Sequence, residues 1–212
     1  MATLYLDLDG TLIDVRRRHH AAYAAAARAV GVEPLAERAA WTRRRAGASA
    51  ADLVDPALRG RFRRDWLARI EAPDLLRMDA PLPGAIAALA GLRQSHSLVL
   101  VSLRHDRGAL ERQLGWLGLS EYLSGVHTPT TQAPTKAALI RAAGRASDGI
   151  VVGDTEADVE AARELGLQSV CVVTGLRSRR FLQELGPDYL LEAFAALPAL
   201  LSGLRLLAQN LA

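Results

Sequence analysis

The chain opens with two carboxylates that lie two positions apart, directly after an apolar run. Residues 4–12 read LYLDLDGTL, which places Asp7 and Asp9 just before a Gly-Thr pair. An unpaired carboxylate in apolar surroundings costs free energy, because water no longer solvates its charge. We therefore expect this pair to have a cation, a proton or a catalytic task.

Four further polar side chains stand at comparable places. Ser102 and Asp154 each follow directly on an apolar run, and Asp158 lies one helical turn after Asp154. Lys136 is the only lysine among 26 Lys and Arg residues. An ammonium is a compact point charge and a guanidinium is a planar fork. A single lysine in so arginine-rich a chain therefore indicates a site that needs a point charge.

The elements that must position these residues alternate along the chain. Helical patterns separate the apolar runs, which is typical of crossover units and of an α/β fold with a parallel sheet covered on both faces. In such sheets sites form beyond the carboxyl ends of the strands, so all six polar residues are expected at one edge. The strand-like runs are Leu4–Leu8, Leu98–Ser102, Gly125–His127, Ile150–Gly153 and Gln168–Val173.

These six residues supply up to four carboxylates, one ammonium and one hydroxyl. Clustered carboxylates repel one another unless a hard cation joins them, and oxygen-only ligands indicate Mg²⁺. With the cation and Lys136 in place, such an edge attracts a phosphate dianion. We expect Ser102 and backbone amides to hold the phosphoryl oxygens.

One region breaks the alternation of strands and helices. Residues 15–79 contain Ala-rich and Arg-rich helical patterns and no convincing strand, and they are too long for a simple connection. We interpret residues 15–79 as an inserted all-helical cap. Residues 1–14 and 80–212 then form the catalytic core.

In their order and spacing, these motifs resemble those of the haloacid dehalogenase superfamily. The matching residues are DLDGTL at 7–12, Ser102 after its apolar run, Lys136, and GDTEAD at 153–158. The insertion resembles the cap of phosphoglycolate phosphatase-like and β-phosphoglucomutase-like members. The resemblance implies a Rossmann-like, three-layer core with an inserted helical cap, and a Mg²⁺-dependent phosphatase that acts on a small phosphorylated metabolite.

The resemblance also implies a role for each matching residue. Asp7 would be the nucleophile that forms an aspartyl-phosphate, and Asp9 the general acid and then the general base. Mg²⁺ would be held by the Asp7 carboxylate, the Asp9 backbone carbonyl and Asp154, with Asp158 in close support. The phosphoryl group would be bound by Thr11, Ser102, Leu103 and Lys136.

Two details bear on the substrate. Leu103 stands where close phosphatase relatives often carry Asn, so its backbone amide would have to serve, and a phosphoglycolate assignment is not favoured. The arginine and histidine residues at 16–20 follow the first motif, and the triplets at 16–18 and 43–45 are expected to be mainly solvated. As possible contacts to the substrate from the cap side we name Arg16, His19, His20 and Arg104.

Other functions remain open at this point. A phosphomutase would return the phosphoryl group to a sugar, and a non-catalytic regulatory protein could keep the same fold. A serine-hydrolase interpretation of Ser102 is weak, because no nucleophile-elbow pattern surrounds it. The formal charge of +3 does not by itself indicate nucleic-acid binding, so we expect no nucleic-acid partner. No apolar segment reaches the length of a membrane span, so we expect no membrane partner either. With Cys171 alone no internal disulfide is possible, so we expect a reducing compartment, the cytoplasm. As to assembly, we expect a monomer or a homodimer.

Overall fold

A parallel sheet forms the centre of the molecule. The computed structural model describes residues 2–129, 135–144 and 149–210, with the backbone alone from residue 205 onward. Its eight strands are β1 (Thr3–Leu6), β2 (Ile13–Asp14), β3 (Ala80–Pro81), β4 (Ser97–Val101), β5 (Gly125–His127), β6 (Gly149–Gly153), β7 (Gln168–Val172) and β8 (Tyr189–Leu191). Six of them form the sheet in the order β5-β4-β1-β6-β7-β8, and every neighbouring pair is parallel. The α/β expectation is thus confirmed.

Helices cover both faces of this sheet. Those outside the insertion are α5 (Ala85–Leu92), α6 (Arg107–Trp116), α7 (Lys136–Ala142), α8 (Glu156–Leu165), α9 (Arg179–Leu185) and α10 (Leu197–Asn210). Alternate residues of β1 enter different cores: Leu4 and Leu6 pack with Leu98 and Leu100, whereas Tyr5 packs on the opposite face. Both faces are buried, which explains why the strands are continuously apolar.

The first strand ends earlier than the apolar run suggests. β1 stops at Leu6, and the Asp7 amide continues the ladder with a bond to the Val152 carbonyl at 2.9 Å. The Leu8 carbonyl then accepts from the amides of Thr11, Leu12 and Ile13, which closes a tight turn. This turn carries Asp7 and Asp9 to the carboxyl edge of the sheet.

The inserted residues form helices with a core of their own. They comprise α1 (Arg16–Ala29), α2 (Glu37–Arg45), α3 (Arg59–Ile70) and α4 (Pro73–Leu76), with 3-10 turns at Ala50–Leu53 and Pro56–Leu58. Tyr23 and Phe62 lie at the centre of this core, with ring centroids 6.0 Å apart. The flanking strands β2 and β3 pair antiparallel, so the chain leaves and re-enters the sheet region through one two-stranded ribbon.

The sequence patterns did not predict β2, β3 or β8. β2 and β3 are two residues long, which is too short for a period-2 pattern to emerge. Within the described ranges, no helix combines the length and the apolar composition needed to cross a bilayer.

We expect Gly149→Ala to destabilise the fold. A Cβ at this position would lie 2.8 Å from the Thr3 carbonyl oxygen and 2.7 Å from the Tyr5 ring, so β1 and β6 would have to separate locally. Overpacking of this kind costs roughly 1–3 kcal/mol. Urea denaturation of the variant measures the loss.

Gly91→Ala is the matched control for this substitution. Gly91 is an exposed residue of α5, and a Cβ there meets nothing within 4 Å. Replacing a helical glycine by alanine stabilises by roughly 0.5–1 kcal/mol, so the two variants should move the urea midpoint in opposite directions. Equal midpoints for Gly149→Ala and the wild type would contradict the close packing of β1 on β6.

Candidate active site

Lys136 lies between two buried carboxylates. Its Nζ is 2.5 Å from Asp7 Oδ1 and 2.5 Å from Asp158 Oδ1. Lys136 is the first residue of α7, and Thr135 caps that helix by accepting from the Ala138 amide. Burial disfavours the ammonium, but Asp158 and Asp7 outweigh burial and hold the pKa of Lys136 above its ordinary value. The side chain is therefore a fixed positive charge.

Asp7 and Asp154 are buried carboxylates without full charge compensation. Burial is the main cause that raises the pKa of Asp7 to about 6; Asp158 and Asp9 add to it, and Lys136 opposes them. Burial, and then repulsion from Asp7, raises the pKa of Asp154 well above its ordinary value. The Thr11 hydroxyl lies between the two, 3.4 Å from Asp7 Oδ2 and 3.3 Å from Asp154 Oδ1.

The backbone fits closely around Asp154. The Leu176 amide donates to its Oδ2 at 2.5 Å. A Cβ on Gly175 would lie 1.9 Å from the same oxygen, and a Cβ on Gly10 would lie 2.6 Å from it. Only glycine fits at these two positions, so the loops after β1 and β7 fix where the Asp154 carboxylate lies.

Asp158 has its two oxygens engaged within the protein. Oδ1 accepts from Lys136, and Oδ2 accepts from the Thr155 amide at 3.1 Å and the Thr155 hydroxyl at 2.8 Å. The Thr155 contacts form a capping box at the start of α8. This geometry does not favour the expected metal contact of Asp158, because its carboxylate is already used to hold Lys136 and the helix end.

The Asp9 carboxylate is held by two arginines. Arg104 donates to both of its oxygens, with Nε 3.0 Å from Oδ2, and Arg18 donates to Oδ1 at 2.8 Å. Burial by itself would raise the pKa of Asp9, but Arg104 and then Arg18 outweigh it and hold that pKa well below its ordinary range. In this arrangement Asp9 is an ionised acceptor and not a proton donor.

A second layer of contacts holds the two arginines. Arg18 donates to Asp79 at 2.8 Å and to the Ile70 carbonyl at 3.1 Å, and Arg104 donates to Gln113. Gln113 also donates to Asp79 at 2.8 Å. Burial, against the opposing charge of Arg18, raises the pKa of Asp79 to about 6. The network joins α1 of the inserted segment to α6 of the core.

These groups meet around a cavity of about 220 Å³ that opens to solvent. That volume is below the roughly 300–1,000 Å³ of sites for drug-sized ligands, so it suits a small molecule. The structure brings together around it the predicted site residues Asp7, Asp9, His19, Ser102, Leu103, Arg104 and Lys136. Thr11, Asp154 and Asp158 are buried among the acidic groups beside it.

Two predicted contacts lie elsewhere. Arg16 is exposed and pairs with Glu37 at 3.1 Å, and the His20 ring nitrogen lies 3.0 Å from the Leu35 carbonyl oxygen. Neither lines the cavity.

Sequence reasoning missed Arg18, whose side chain is only 1% exposed, and Trp66, which lines the cavity. The expectation of a solvated arginine triplet at 16–18 is therefore wrong for Arg18. A signal was present, because Arg18, Ala22 and Ala26 lie four residues apart and form one buried face of α1.

The charges of the buried acidic residues leave room for a divalent cation. Asp7, Asp154 and Asp158 face one ammonium, which leaves two negative charges uncompensated when all are ionised. Among the described residues, no three acidic, histidine or cysteine side chains converge on one point that could hold a metal ion. Mg²⁺ commonly takes one or two carboxylates and completes its shell with water and substrate oxygens. Asp7 and Asp154 fit that pattern.

Comparison with known proteins gives concordant results. The family model described as haloacid dehalogenase-like hydrolase matches residues 1–166. A phosphoglycolate phosphatase of Synechococcus elongatus is 31% identical over 207 residues, which cover 91% of this chain and 93% of that protein.

Solved structures share the fold. A haloacid dehalogenase-like family protein from Streptococcus pneumoniae superposes with a TM-score of 0.82 at 22% identity, over 95% of this chain and 98% of that one. A predicted phosphoglycolate phosphatase from Haemophilus somnus gives 0.75 at 19% identity, over 94% and 97%. On the family model and the Synechococcus relative, the chain belongs to the haloacid dehalogenase-like hydrolases, as its motifs predicted, and is an enzyme of their phosphatase type.

Proposed function

We propose that the protein is a Mg²⁺-dependent phosphatase that hydrolyses a small phosphorylated metabolite through an aspartyl-phosphate on Asp7. The observation that carries this proposal is the Asp7–Lys136 pair. It places a buried, cation-paired carboxylate on the wall of a small cavity that opens to solvent. A carboxylate so placed can attack a phosphorus atom whose charge the neighbouring ammonium offsets.

The first half of the reaction is transfer to Asp7. A carboxylate oxygen of Asp7 bonds to phosphorus as the ester P–O bond breaks. Asp9 acts as the acid only after it has left Arg18 and Arg104 and taken up a proton, which it then gives to the leaving oxygen. Lys136, the Ser102 hydroxyl and the Leu103 amide hold the phosphoryl oxygens during transfer. Thr11 is better placed to order Asp7 and Asp154, because its hydroxyl lies between their carboxylates.

The second half is hydrolysis of the aspartyl-phosphate. Asp9, now ionised, accepts a proton from water as the water oxygen attacks phosphorus, and the Asp7 carboxylate leaves. In the arrangement described here both Asp9 oxygens accept from arginines. Asp9 therefore has to change partners during the cycle.

The cation would be held by the Asp7 carboxylate, the Asp9 backbone carbonyl and Asp154. When bound, Mg²⁺ supplies positive charge that screens Asp7 from the phosphate and orients its oxygens. Asp158 is assigned to hold Lys136.

The inserted segment 15–79 is proposed to act as a cap on the core formed by 1–14 and 80–212. Two side chains of the segment hold it against the core, each through two hydrogen bonds. Arg45 donates to the carbonyls of Val173 and Gly175, at 2.9 and 2.8 Å, and Glu71 accepts from the amides of His105 and Asp106. The segment thereby lines one side of the cavity, where it restricts the access of bulk water to the aspartyl-phosphate and limits the size of the leaving group.

The relative from Synechococcus elongatus is described as a phosphoglycolate phosphatase, which suggests a short phosphate ester as substrate. The small cavity agrees with that class. The cytoplasm, as the site of action, stays a prediction.

Asp7→Asn should abolish hydrolysis of p-nitrophenyl phosphate, since an amide cannot form the acyl phosphate. The expected loss in kcat is roughly 10³-fold or more. Acid-quenched radiolabelled phosphoenzyme should be present in the wild type and absent in this variant. Asp14→Asn is the control, because Asp14 is exposed and lies outside the cavity. Phosphoenzyme in the Asp7→Asn variant would refute the nucleophile assignment.

Mg²⁺ affinity should weaken as the pH falls through about 6. Protons compete with the cation for a carboxylate wherever the pH is below its pKa, and burial raises the pKa of Asp7 to about 6. The dissociation constant measured by titration calorimetry should therefore be at least roughly tenfold higher at pH 5 than at pH 7.5. The Asp7→Asn variant, which lacks this titrating group, should show a smaller change. A dissociation constant independent of pH would contradict a metal ligand at Asp7.

Lys136→Met should strongly destabilise the metal-free protein at neutral pH. Removing one partner of a buried ion pair leaves uncompensated charge, here on Asp7 and Asp158, at a cost of roughly 3–5 kcal/mol. Arg141→Met is the matched control on the same helix, since the exposed Arg141–Glu164 pair contributes at most about 1 kcal/mol. Thermal unfolding measures both variants, and equal shifts would contradict the central role of Lys136.

A further inference from the structure

The arginines that hold Asp9 line the substrate cavity themselves. Arg18 comes from α1 of the inserted segment and Arg104 from the loop after β4, and both border the same space as Asp7 and Lys136. Their side chains are 1% and 5% exposed, whereas Asp9 is 20% exposed. The cavity therefore has a second cationic wall, distinct from the Lys136 end where the phosphoryl group is proposed to bind.

This cationic wall is balanced only while Asp9 occupies it. Two guanidinium groups face two carboxylates, those of Asp9 and Asp79. Withdrawal of Asp9 would leave a buried positive charge without a counter-ion, which is strongly unfavourable. Because Asp9 must change partners in the proposed reaction, another anion has to take its place beside Arg18 and Arg104.

Besides Asp9 and Asp7, one more carboxylate of the described residues lines the cavity, that of Glu71, whose oxygens already have hydrogen-bond partners. Glu71 accepts from the His105 and Asp106 amides, each at 3.0 Å. Among the residues lining the cavity, no remaining acid is placed to replace Asp9, since Asp7 pairs with Lys136. The replacement anion must then arrive from outside the protein.

Neighbouring polar atoms also lack partners. Both ring nitrogens of His19 and the indole nitrogen of Trp66 are buried without a hydrogen bond within the described part of the chain, and both residues line the cavity. Buried polar atoms are generally paired, either with a ligand or with ordered water, so these three nitrogens can hydrogen-bond a ligand that enters the cavity next to the arginines.

We propose that Arg18 and Arg104 bind an anionic group, a carboxylate or a second phosphate, on the leaving-group part of the substrate, and that Asp9 occupies their place until it arrives. The planar forks of two arginines suit such an oxyanion, which they can bind in a bidentate manner. The inference rests on the proposed phosphatase function and names the substrate class as short phosphate esters with a second negative charge. Arriving substrate releases Asp9 toward the scissile bond.

Three esters of the same chain length test this proposal in the wild-type enzyme. They are 2-phosphoglycolate, ethane-1,2-diol bisphosphate and 2-hydroxyethyl phosphate, which carry a carboxylate, a second phosphate and a neutral hydroxyl. We expect kcat/KM for at least one of the two anionic esters to exceed that for the neutral ester by about 100-fold or more, and the preferred ester identifies the anion. Equal kcat/KM for all three overturns the inference and leaves the phosphatase assignment intact.

Charge-conserving variants then assign the preference to residues. Arg104→Lys and Arg18→Lys keep the positive charge but lose the bidentate fork. Each should therefore reduce the preference about tenfold or more, because kcat/KM for the anionic ester falls. Arg107→Lys is the control, because Arg107 is exposed on α6 and pairs with Glu111 outside the cavity. An undiminished preference in both Arg18 and Arg104 variants overturns the inference.

Binding to the Asp7→Asn variant keeps the two proposals separable. Titration calorimetry with the same three esters should show tighter binding of an anionic ester than of 2-hydroxyethyl phosphate, and Arg104→Lys in this background should reduce the difference about tenfold or more. This result does not depend on turnover. Absence of hydrolysis of any ester by the wild type would refute the proposed function, whereas equal binding of all three would refute the arginine subsite.

Discussion

The structure depends on burying several carboxylates at one edge of a parallel sheet with too few cations to balance them. Lys136 is the central element of this arrangement, because one ammonium contacts both Asp7 and Asp158 at 2.5 Å. Desolvation raises the pKa of Asp7 and of Asp154, so this edge stores unfavourable free energy in the absence of a ligand. The proposed divalent cation would offset that cost and would let an anionic phosphoryl group approach Asp7.

A second charge cluster of opposite character shares the same cavity. On the acidic side carboxylates outnumber the ammonium, while on the other side Arg18 and Arg104 are balanced by Asp9 and Asp79. Asp9 thus follows Asp7 by two residues in sequence but pairs with the arginine cluster. One acidic motif therefore contributes to two electrostatic environments, and the position of Asp9 depends on how the inserted segment lies over the sheet edge.

Residue spacing was sufficient to predict the sheet and the clustering of the motif residues. Parallel strands end at a common edge, so Asp7, Ser102 and Asp154 had to lie close together once the strands were recognised. The arginine cluster could not be predicted in this way. Arg18 meets Asp79 because α1 packs against α4, which ends three residues before Asp79. The spacing of residues on α1 indicates that Arg18 is buried but does not identify its partner.

Asp154 and Asp158 were given the same expected role from their spacing, but their carboxylates have different hydrogen-bond partners. Asp154 and Asp158 lie one helical turn apart, and both were expected to face the cation. Thr155 caps α8 and thereby engages one oxygen of Asp158, while Lys136 engages the other. Asp154 precedes the helix and is fixed instead by the Leu176 amide and the close approach of Gly175. The difference arises because a residue in the first turn can satisfy its own helix end, whereas a residue on the preceding loop cannot.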